Sequence, residues 1–290
     1  MPNTRPAAVA GMFYPGDPAT LAATVDSLFR SAAEAPVLTD ESTTAPKALI
    51  VPHAGYVYSG ATAARAYALL ASQRQRVRRV VLLGPVHRVP VRGLALPDAD
   101  AFETPLGRVH IDADAVAALR DLPEVVSSRA AHAREHSLEV QLPLLQAALD
   151  DFRLLPLAVG DASAAEVAEV IDRLWGGPET LIVISSDLSH FLDYASAQAI
   201  DGSTVRQMLA LEAGISHQQA CGATPVNGML LAARRRGMSA GLVAQCNSGD
   251  SSGDRDRVVG YASIAFHQPP PTASTTATSS ASTLETVHVH

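Results

Sequence analysis

Short unbroken runs of apolar residues recur along the chain and alternate with segments of helical periodicity. The runs occupy positions 47–51, 79–84, 153–159 and 180–185. Unbroken aliphatic runs of this length are typical of strands that are buried on both faces of a parallel sheet. The alternation with helical segments predicts an α/β fold, organised as a single layered domain with a mainly parallel central sheet.

The helical segments between and after these runs complete the predicted order of elements. Helices are expected over 18–33, 60–73, 113–120, 137–150, 163–175, 195–212 and 224–236, with hairpins in 91–111 and late strands near 240–246 and 257–266. Asp17 is a suitable N-cap for the first helix, and Thr224 for the last. Pro143 is expected to kink the helix that contains it. The folded domain is predicted to span 1–267, and the Pro/Ser/Thr-rich tail 268–290 is predicted to be disordered.

Three histidines follow the carboxyl ends of predicted strands. His53 and His87 stand in Gly- and Pro-containing turns, and His190 follows Ser185-Ser186-Asp187. Ligands of open α/β sheets bind beyond the carboxyl ends of the strands, so these side chains are expected to meet at one edge. The pattern predicts a metal or acid–base centre. Asp187, three residues before His190, either orients that imidazole or caps a helix, and the spacing allows both.

Two further groups of residues could take part in the same chemistry. Cys221 precedes a predicted helix, where a lowered thiol pKa would make it a ligand or nucleophile, although a buried structural thiol is the alternative. Glu135 and Glu139 lie four residues apart and would share a helix face, and His136 and Glu139, three apart, could also meet. Ordinary salt bridges explain this spacing equally well. No Walker loop, Gly-x-Gly-x-x-Gly or Gly-x-Ser-x-Gly motif occurs, which disfavours nucleotide binding and serine hydrolysis.

Composition narrows the class of protein. The chain has 290 residues, 47% of them hydrophobic, with 22 basic and 29 acidic residues and a net charge of −7. This balance argues against a nucleic-acid surface. Two cysteines, no signal-peptide pattern and no run of membrane-spanning length predict a cytoplasmic protein without a membrane partner.

Several motifs in one order carry a resemblance to a known family. They are Ala10-Gly11-Met12-Phe13-Tyr14, Pro52-His53-Ala54-Gly55-Tyr56, Leu83-Gly84-Pro85 with His87, Thr104-Pro105-Leu106, Glu135-His136-Ser137-Leu138-Glu139, Ser185-Ser186-Asp187 with His190, and Cys221-Gly222 with Pro225. Together they resemble the Memo family, whose bacterial and archaeal members are called AmmeMemoRadiSam system protein B. That family is similar in fold to class III extradiol dioxygenases.

The resemblance implies a metal centre and roles for its residues. By analogy His53, His87 and Cys221 would hold iron or copper, and His190, with Asp187, would be the catalytic acid–base group. We expect His136, Glu135 and Glu139 to line the pocket without binding the metal. Family association implies a radical-SAM protein and an AMMECR-type protein as partners, and the small-molecule or peptide ligand is unknown.

Three functions are compatible with these residues. The first is a metal-binding protein with a redox role. The second is an extradiol-type dioxygenase, which is weakened because Cys221 stands where those enzymes have a carboxylate. The third is a module that binds a peptide or protein in the dioxygenase-like cleft.

Overall fold

The computed structural model describes residues 3–34 and 45–270, so most of the predicted tail, from residue 271 onward, lies outside the described residues. The strands are β1 (Thr4–Arg5), β2 (Ala48–Val51), β3 (Arg79–Pro85), β4 (Leu94–Leu96), β5 (Ala101–Thr104), β6 (Gly107–His110), β7 (Val125–Ser127), β8 (Arg153–Val159), β9 (Thr180–Ser185), β10 (His190–Leu192), β11 (Ser239–Asn247) and β12 (Val258–His267). The helices are α1 (Pro18–Glu34), α2 (Ala61–Ala68), α3 (Ala113–Ala117), α4 (Arg129–Ala133), α5 (Leu142–Ala148), α6 (Ala164–Arg173), α7 (Tyr194–Leu209), α8 (Ala223–Arg235) and α9 (Ser248–Ser252).

A large mixed sheet forms the centre of the domain. Its strands run in the order β10-β12-β2-β9-β3-β8-β4-β7, and β11 also pairs with β12. The central strands β2, β9, β3 and β8 are parallel, whereas β12 is antiparallel to β2 and β4 is antiparallel to β8. The predicted α/β fold is confirmed. The parallel arrangement is restricted mainly to the centre, because the strands towards the edges include antiparallel neighbours.

Both faces of this sheet are covered, which explains the unbroken apolar runs in the sequence. Leu49 and Val51 of β2 belong to a core that includes residues of α1, α2 and α5. Ala48 and Ile50 of the same strand belong to a second core that includes residues of α6 and α8. Successive residues of a strand point to opposite faces, so a strand covered on both sides has no polar position to alternate with.

The predictions of helix caps and of a helix kink are partly correct. Asp17 caps α1 as predicted, because its carboxylate accepts the backbone N–H of Thr20 at 2.8 Å. Thr224 is not an N-cap: α8 begins at Ala223 after Gly222. Pro143 does not kink a helix, because it lies in the first turn of α5, where a missing N–H breaks no helical hydrogen bond.

The carboxyl ends of β2, β3 and β9 lie at one edge of the sheet. They are followed by His53, His87 and Asp187 respectively, and the residues leading into α8 come to the same edge. Gly222 allows this close approach, since a Cβ at this position would lie 2.7 Å from Cβ of Ser186. Among the described residues, no helix has both the length and the apolar character needed to cross a bilayer.

Candidate metal centre

His53 is fixed at both its backbone and its ring. Its N–H donates to Asp187 Oδ1 at 2.7 Å, and its Nδ1 lies 2.9 Å from Ser185 Oγ. The Ser185 hydroxyl donates its own proton to the carbonyl of Ser137 at 2.6 Å, and it accepts from Gln141 Nε2 at 2.8 Å. The remaining contact must therefore be donated by His53 Nδ1–H. This tautomer leaves a lone pair on Nε2 of His53.

His87 is oriented in the same way by a carboxylate. Its Nδ1 lies 2.8 Å from Glu135 Oε1, and its backbone N–H donates to Glu135 Oε2 at 2.6 Å. Because an ionised carboxylate only accepts, Nδ1 of His87 carries the proton and Nε2 is free to bind a cation. A carboxylate behind a histidine in this manner is the usual outer partner of a metal-bound imidazole.

His136 joins these two imidazoles. One ring nitrogen from each of His53, His87 and His136 lies within 4.8 Å of the others. The centroid of the His136 ring lies 4.5 Å from the centroid of the His87 ring and 5.4 Å from that of the His53 ring. Three imidazole nitrogens at this separation could hold a metal ion. His136, which we expected to line the pocket outside the ligand set, thus stands among the nitrogen donors.

The charges around this cluster are arranged for a cation. Burial raises the pKa of the Glu135 carboxyl, but the adjacent imidazoles of His136 and His87 lower it more strongly, so the net pKa is well below the ordinary value. Burial, followed by the nearby His87 and His136, holds the pKa of His53 well below its usual range. A neutral His53 imidazole and an ionised Glu135 carboxylate are the protonation states in which a metal is bound.

Cys221 contacts the imidazole cluster at His53. Its sulfur lies 3.4 Å from His53 Nε2 and accepts the backbone N–H of Asp187 at 3.3 Å. It is not part of the group of three imidazoles whose nitrogens lie within 4.8 Å of one another. Burial and then the Asp187 carboxylate raise the pKa of the Cys221 thiol to about 12. The expected lowering by a helix N-terminus does not occur, because these two effects oppose it.

His190 and Asp187 do not form the expected pair. Nδ1 of His190 lies 2.9 Å from the carbonyl oxygen of Leu188, while the Asp187 carboxylate holds the backbone of His53. Burial raises the pKa of Asp187 despite the His53 hydrogen bond. His190, His87 and Cys221 nevertheless line one cavity of about 720 Å³. Asp187 therefore positions His53 rather than His190.

The expectation for Glu139 was wrong, because this residue does not line the pocket. Its side chain is fully buried and pairs with Arg5 at 2.6 Å. It also accepts from the backbone N–H groups of Ala8 and Val9 and from the hydroxyl of Tyr14. These partners turn the carboxylate towards the N-terminal segment, so Glu139 holds that segment against the domain. Glu135 is also buried and reaches the centre through the imidazoles that it contacts.

Two polar residues of the centre were missed by sequence reasoning. Ser185 orients His53, and Gln141 contacts Ser185 and the carbonyl of Pro52. Ser185 is the last residue of β9, and this position at a strand end was the available signal. Nothing in the local sequence distinguishes Gln141, since its partners lie 44 and 89 residues away.

Comparison with known proteins identifies the family of this chain. The family model described as "Memo-like protein" matches residues 5–265. A MEMO1 family protein of Methanopyrus kandleri is 36% identical over 287 residues, which cover 91% of this chain and 99% of that protein. A MEMO1 family protein of Aquifex aeolicus is 36% identical over 277 residues, with the same two shares of 91% and 99%. Among solved structures, an uncharacterized protein of Escherichia coli K12 matches with a TM-score of 0.46 and 15% identity over 75% of this chain and 98% of that one, and this distant likeness carries no argument. The family model and both relatives span nearly the whole described domain, and the chain belongs to the Memo-like protein family.

Proposed function

We propose that this protein binds one redox-active transition metal ion, iron or copper, through Nε2 of His53 and Nε2 of His87. The observation that carries the proposal is the pair of fixed contacts behind these rings, from Ser185 and Glu135. Each contact accepts a hydrogen bond from Nδ1–H, so the lone pair of the neutral ring lies on Nε2. Because both rings are already held in place, few side chains must become ordered when a metal binds, which favours a high affinity for the metal.

Cys221 is the third ligand in this proposal, and His136 is the alternative. The 3.4 Å approach of the Cys221 sulfur to His53 Nε2 supports a shared ion. The compact group of His53, His87 and His136 supports three imidazoles. A thiolate would favour a softer metal such as Cu(I), whereas three imidazoles also suit harder divalent ions. Binding through sulfur would release the thiol proton, so its raised pKa does not exclude it.

An anaerobic titration with Co²⁺ tests both the site and its third ligand. We expect one equivalent to bind and a near-ultraviolet thiolate-to-cobalt absorption band to appear, because Co²⁺ reports sulfur ligation spectroscopically. Cys221→Ser should abolish the band. Cys246→Ser is the matched control and should retain it, since Cys246 contacts Thr62 and not the imidazoles.

The outcomes of this titration separate the alternatives. Saturable binding without this band in the wild type, or binding of unchanged affinity in Cys221→Ser, excludes the Cys221 thiolate and assigns the third position to His136, whose replacement by alanine should then weaken binding. The absence of any saturable binding of Co²⁺, Fe²⁺ or copper would overturn the proposed function.

The dioxygenase alternative makes a different prediction, and we expect it to fail. Extradiol cleavage requires iron to hold a catecholate and O₂ together, which needs open positions beside the protein ligands. A thiolate at Cys221 would change the redox balance of the iron and is itself open to oxidation. Anaerobically iron-loaded protein, mixed with simple catechols and O₂, should yield almost no ring-cleaved product by absorbance. A turnover of even a few per second would make dioxygenase activity better supported than the proposed function.

A further inference from the structure

The cavity beside the metal centre has the character of a ligand pocket. Its volume is about 720 Å³, and His87 and Cys221 form the wall on the side of the centre. Volumes of this size accommodate small organic molecules. Leu192 and Ile200 add an apolar wall to it.

The side chains that line this cavity favour a neutral or anionic organic ligand over a cationic one. His87, His190 and His217 are among its lining residues, and none of the described lining residues is an aspartate or glutamate. This contrasts with the chain as a whole, whose net charge is −7. No carboxylate in this lining would repel an anion, and a metal ion held by His87 and Cys221 would attract one. A neutral or anionic ligand is therefore favoured.

Phe191 is held in the lining of this cavity by an unusual backbone. Its side chain is 62% exposed although it is a large aromatic residue. Its φ is 61°, in the left-handed region that residues with a side chain seldom occupy. Backbone strain of this kind persists where the surrounding structure enforces it, and it is concentrated at functional sites.

The strand pairing accounts for the position of Phe191. His190 pairs with Val259 and Leu192 pairs with Val258, so Phe191 is an extra residue without a partner on β12. Such bulges re-aim a side chain and are frequent next to active sites. The bulge places the Phe191 ring at the cavity, with its centroid 5.7 Å from that of His190.

Arg257 adds a positive charge next to this ring. Its guanidinium carbon lies 5.0 Å from the centroid of the Phe191 ring, a distance at which a cation interacts favourably with an aromatic face. The contact helps to hold the exposed ring.

We propose that this cavity binds an aromatic carboxylate, whose ring stacks on Phe191 and whose carboxylate is directed towards the imidazoles of the metal centre. A planar ring matches the exposed aromatic side chain, and an anionic group matches the lining of histidines without acidic residues. The position proposed for the ligand's carboxylate rests on the proposed metal function, whereas the contact of the ligand's ring with Phe191 does not require the metal.

Binding of 2-naphthoate, followed by its fluorescence in the full-length protein with and without bound metal, tests the proposal. The comparison ligand is decalin-2-carboxylate, which has the same fused skeleton and charge but no flat aromatic face, and its binding is followed by calorimetry. We expect 2-naphthoate to bind more tightly. Phe191→Leu, which keeps an apolar side chain but removes the ring, should weaken 2-naphthoate binding about tenfold and leave decalin-2-carboxylate unchanged.

Matched variants separate a ligand contact from a structural role. Tyr58→Ala removes another exposed aromatic side chain, 43% accessible and outside the cavity lining, and should leave both affinities unchanged. Phe191→Gly should keep the metal content and keep or raise Tm, because glycine accepts the positive φ without strain. A fall in Tm of more than about 4 °C would indicate a structural role for Phe191 and overturn the proposal.

The two proposals fail in different ways. Equal binding of 2-naphthoate by the wild type and Phe191→Leu, or no binding at all, overturns the aromatic pocket and leaves metal binding intact. If the wild type binds no metal but its affinity for 2-naphthoate still depends on Phe191, the metal function is overturned and the ring contact is supported.

Discussion

Replacement of His53 by alanine is expected to lower the affinity for the metal at least about 100-fold. Removal of an outer partner of a metal ligand typically weakens binding about 10- to 100-fold, and loss of the ligand itself should reach at least the upper end of that range. His53 is also the residue that the Cys221 sulfur approaches. The measurement is an anaerobic titration with competition by a chelator of known affinity.

His190→Ala is the matched control for this variant. His190 lines the same cavity, but its Nδ1 contacts the carbonyl oxygen of Leu188 and it is not in the group of three imidazoles. We expect it to retain the metal with nearly unchanged affinity while losing any activity that is found. Loss of metal from His190→Ala would make His190 a ligand. Full retention of metal by His53→Ala would refute the proposed site.

Thermal unfolding provides a second measurement of the same loss. A metal that binds only the folded state stabilises it by about 2.7 kcal/mol at a free concentration 100 times Kd. The wild type should therefore show a clear rise in Tm on metal addition, and His53→Ala should show almost none at the same concentration. The metal-free Tm values of the two proteins separate this effect from any direct destabilisation by the substitution.

The edge of the sheet that carries the site could be predicted because it follows from local sequence. Unbroken apolar runs identified β2, β3 and β9, and the carboxyl ends of parallel strands meet at one edge. That argument alone brings His53 and His87 together, and their ring centroids lie 5.3 Å apart.

Two features that the sequence did not reveal depend on contacts between distant segments. His136 stands between α4 and α5, and its place in the cluster is set by Glu135, which is anchored to the turn after β3 by His87. The thiol pKa of Cys221 depends on its burial and on Asp187, 34 residues earlier in the chain. Neither the position of His136 nor the effect of Asp187 on the Cys221 thiol follows from spacing along the chain, so neither could be predicted from the sequence.

Glu139 shows the same limit and leads to the largest expected effect on stability. Its spacing from Glu135 predicted a shared helix face, but its partners lie in the N-terminal segment, 125 to 134 residues away. Glu139→Ala should lower the free energy of unfolding by about 3–5 kcal/mol, because it leaves the buried guanidinium of Arg5 without its counter-charge. Chemical denaturation followed by circular dichroism measures this change.

An exposed ion pair provides the control for this prediction. Asp121 and Arg173 form a salt bridge at 2.9 Å whose carboxylate is 68% exposed, so Asp121→Ala should leave the denaturation midpoint nearly unchanged. A loss of less than about 1 kcal/mol in Glu139→Ala would contradict the interpretation of the buried pair, since a screened surface contact has that magnitude.

The double variant Arg5→Met, Glu139→Leu separates the charge from the hydrogen bonds. Replacing both members of a buried ion pair by apolar residues of similar size is often neutral, because the cost of desolvating both charges disappears. Here we expect only partial recovery. The backbone N–H groups of Ala8 and Val9 and the hydroxyl of Tyr14 would still lose their acceptor, and each unsatisfied buried donor costs about 1–3 kcal/mol. Full recovery would mean that these donors find other partners and that Glu139 acts mainly as the counter-charge of Arg5.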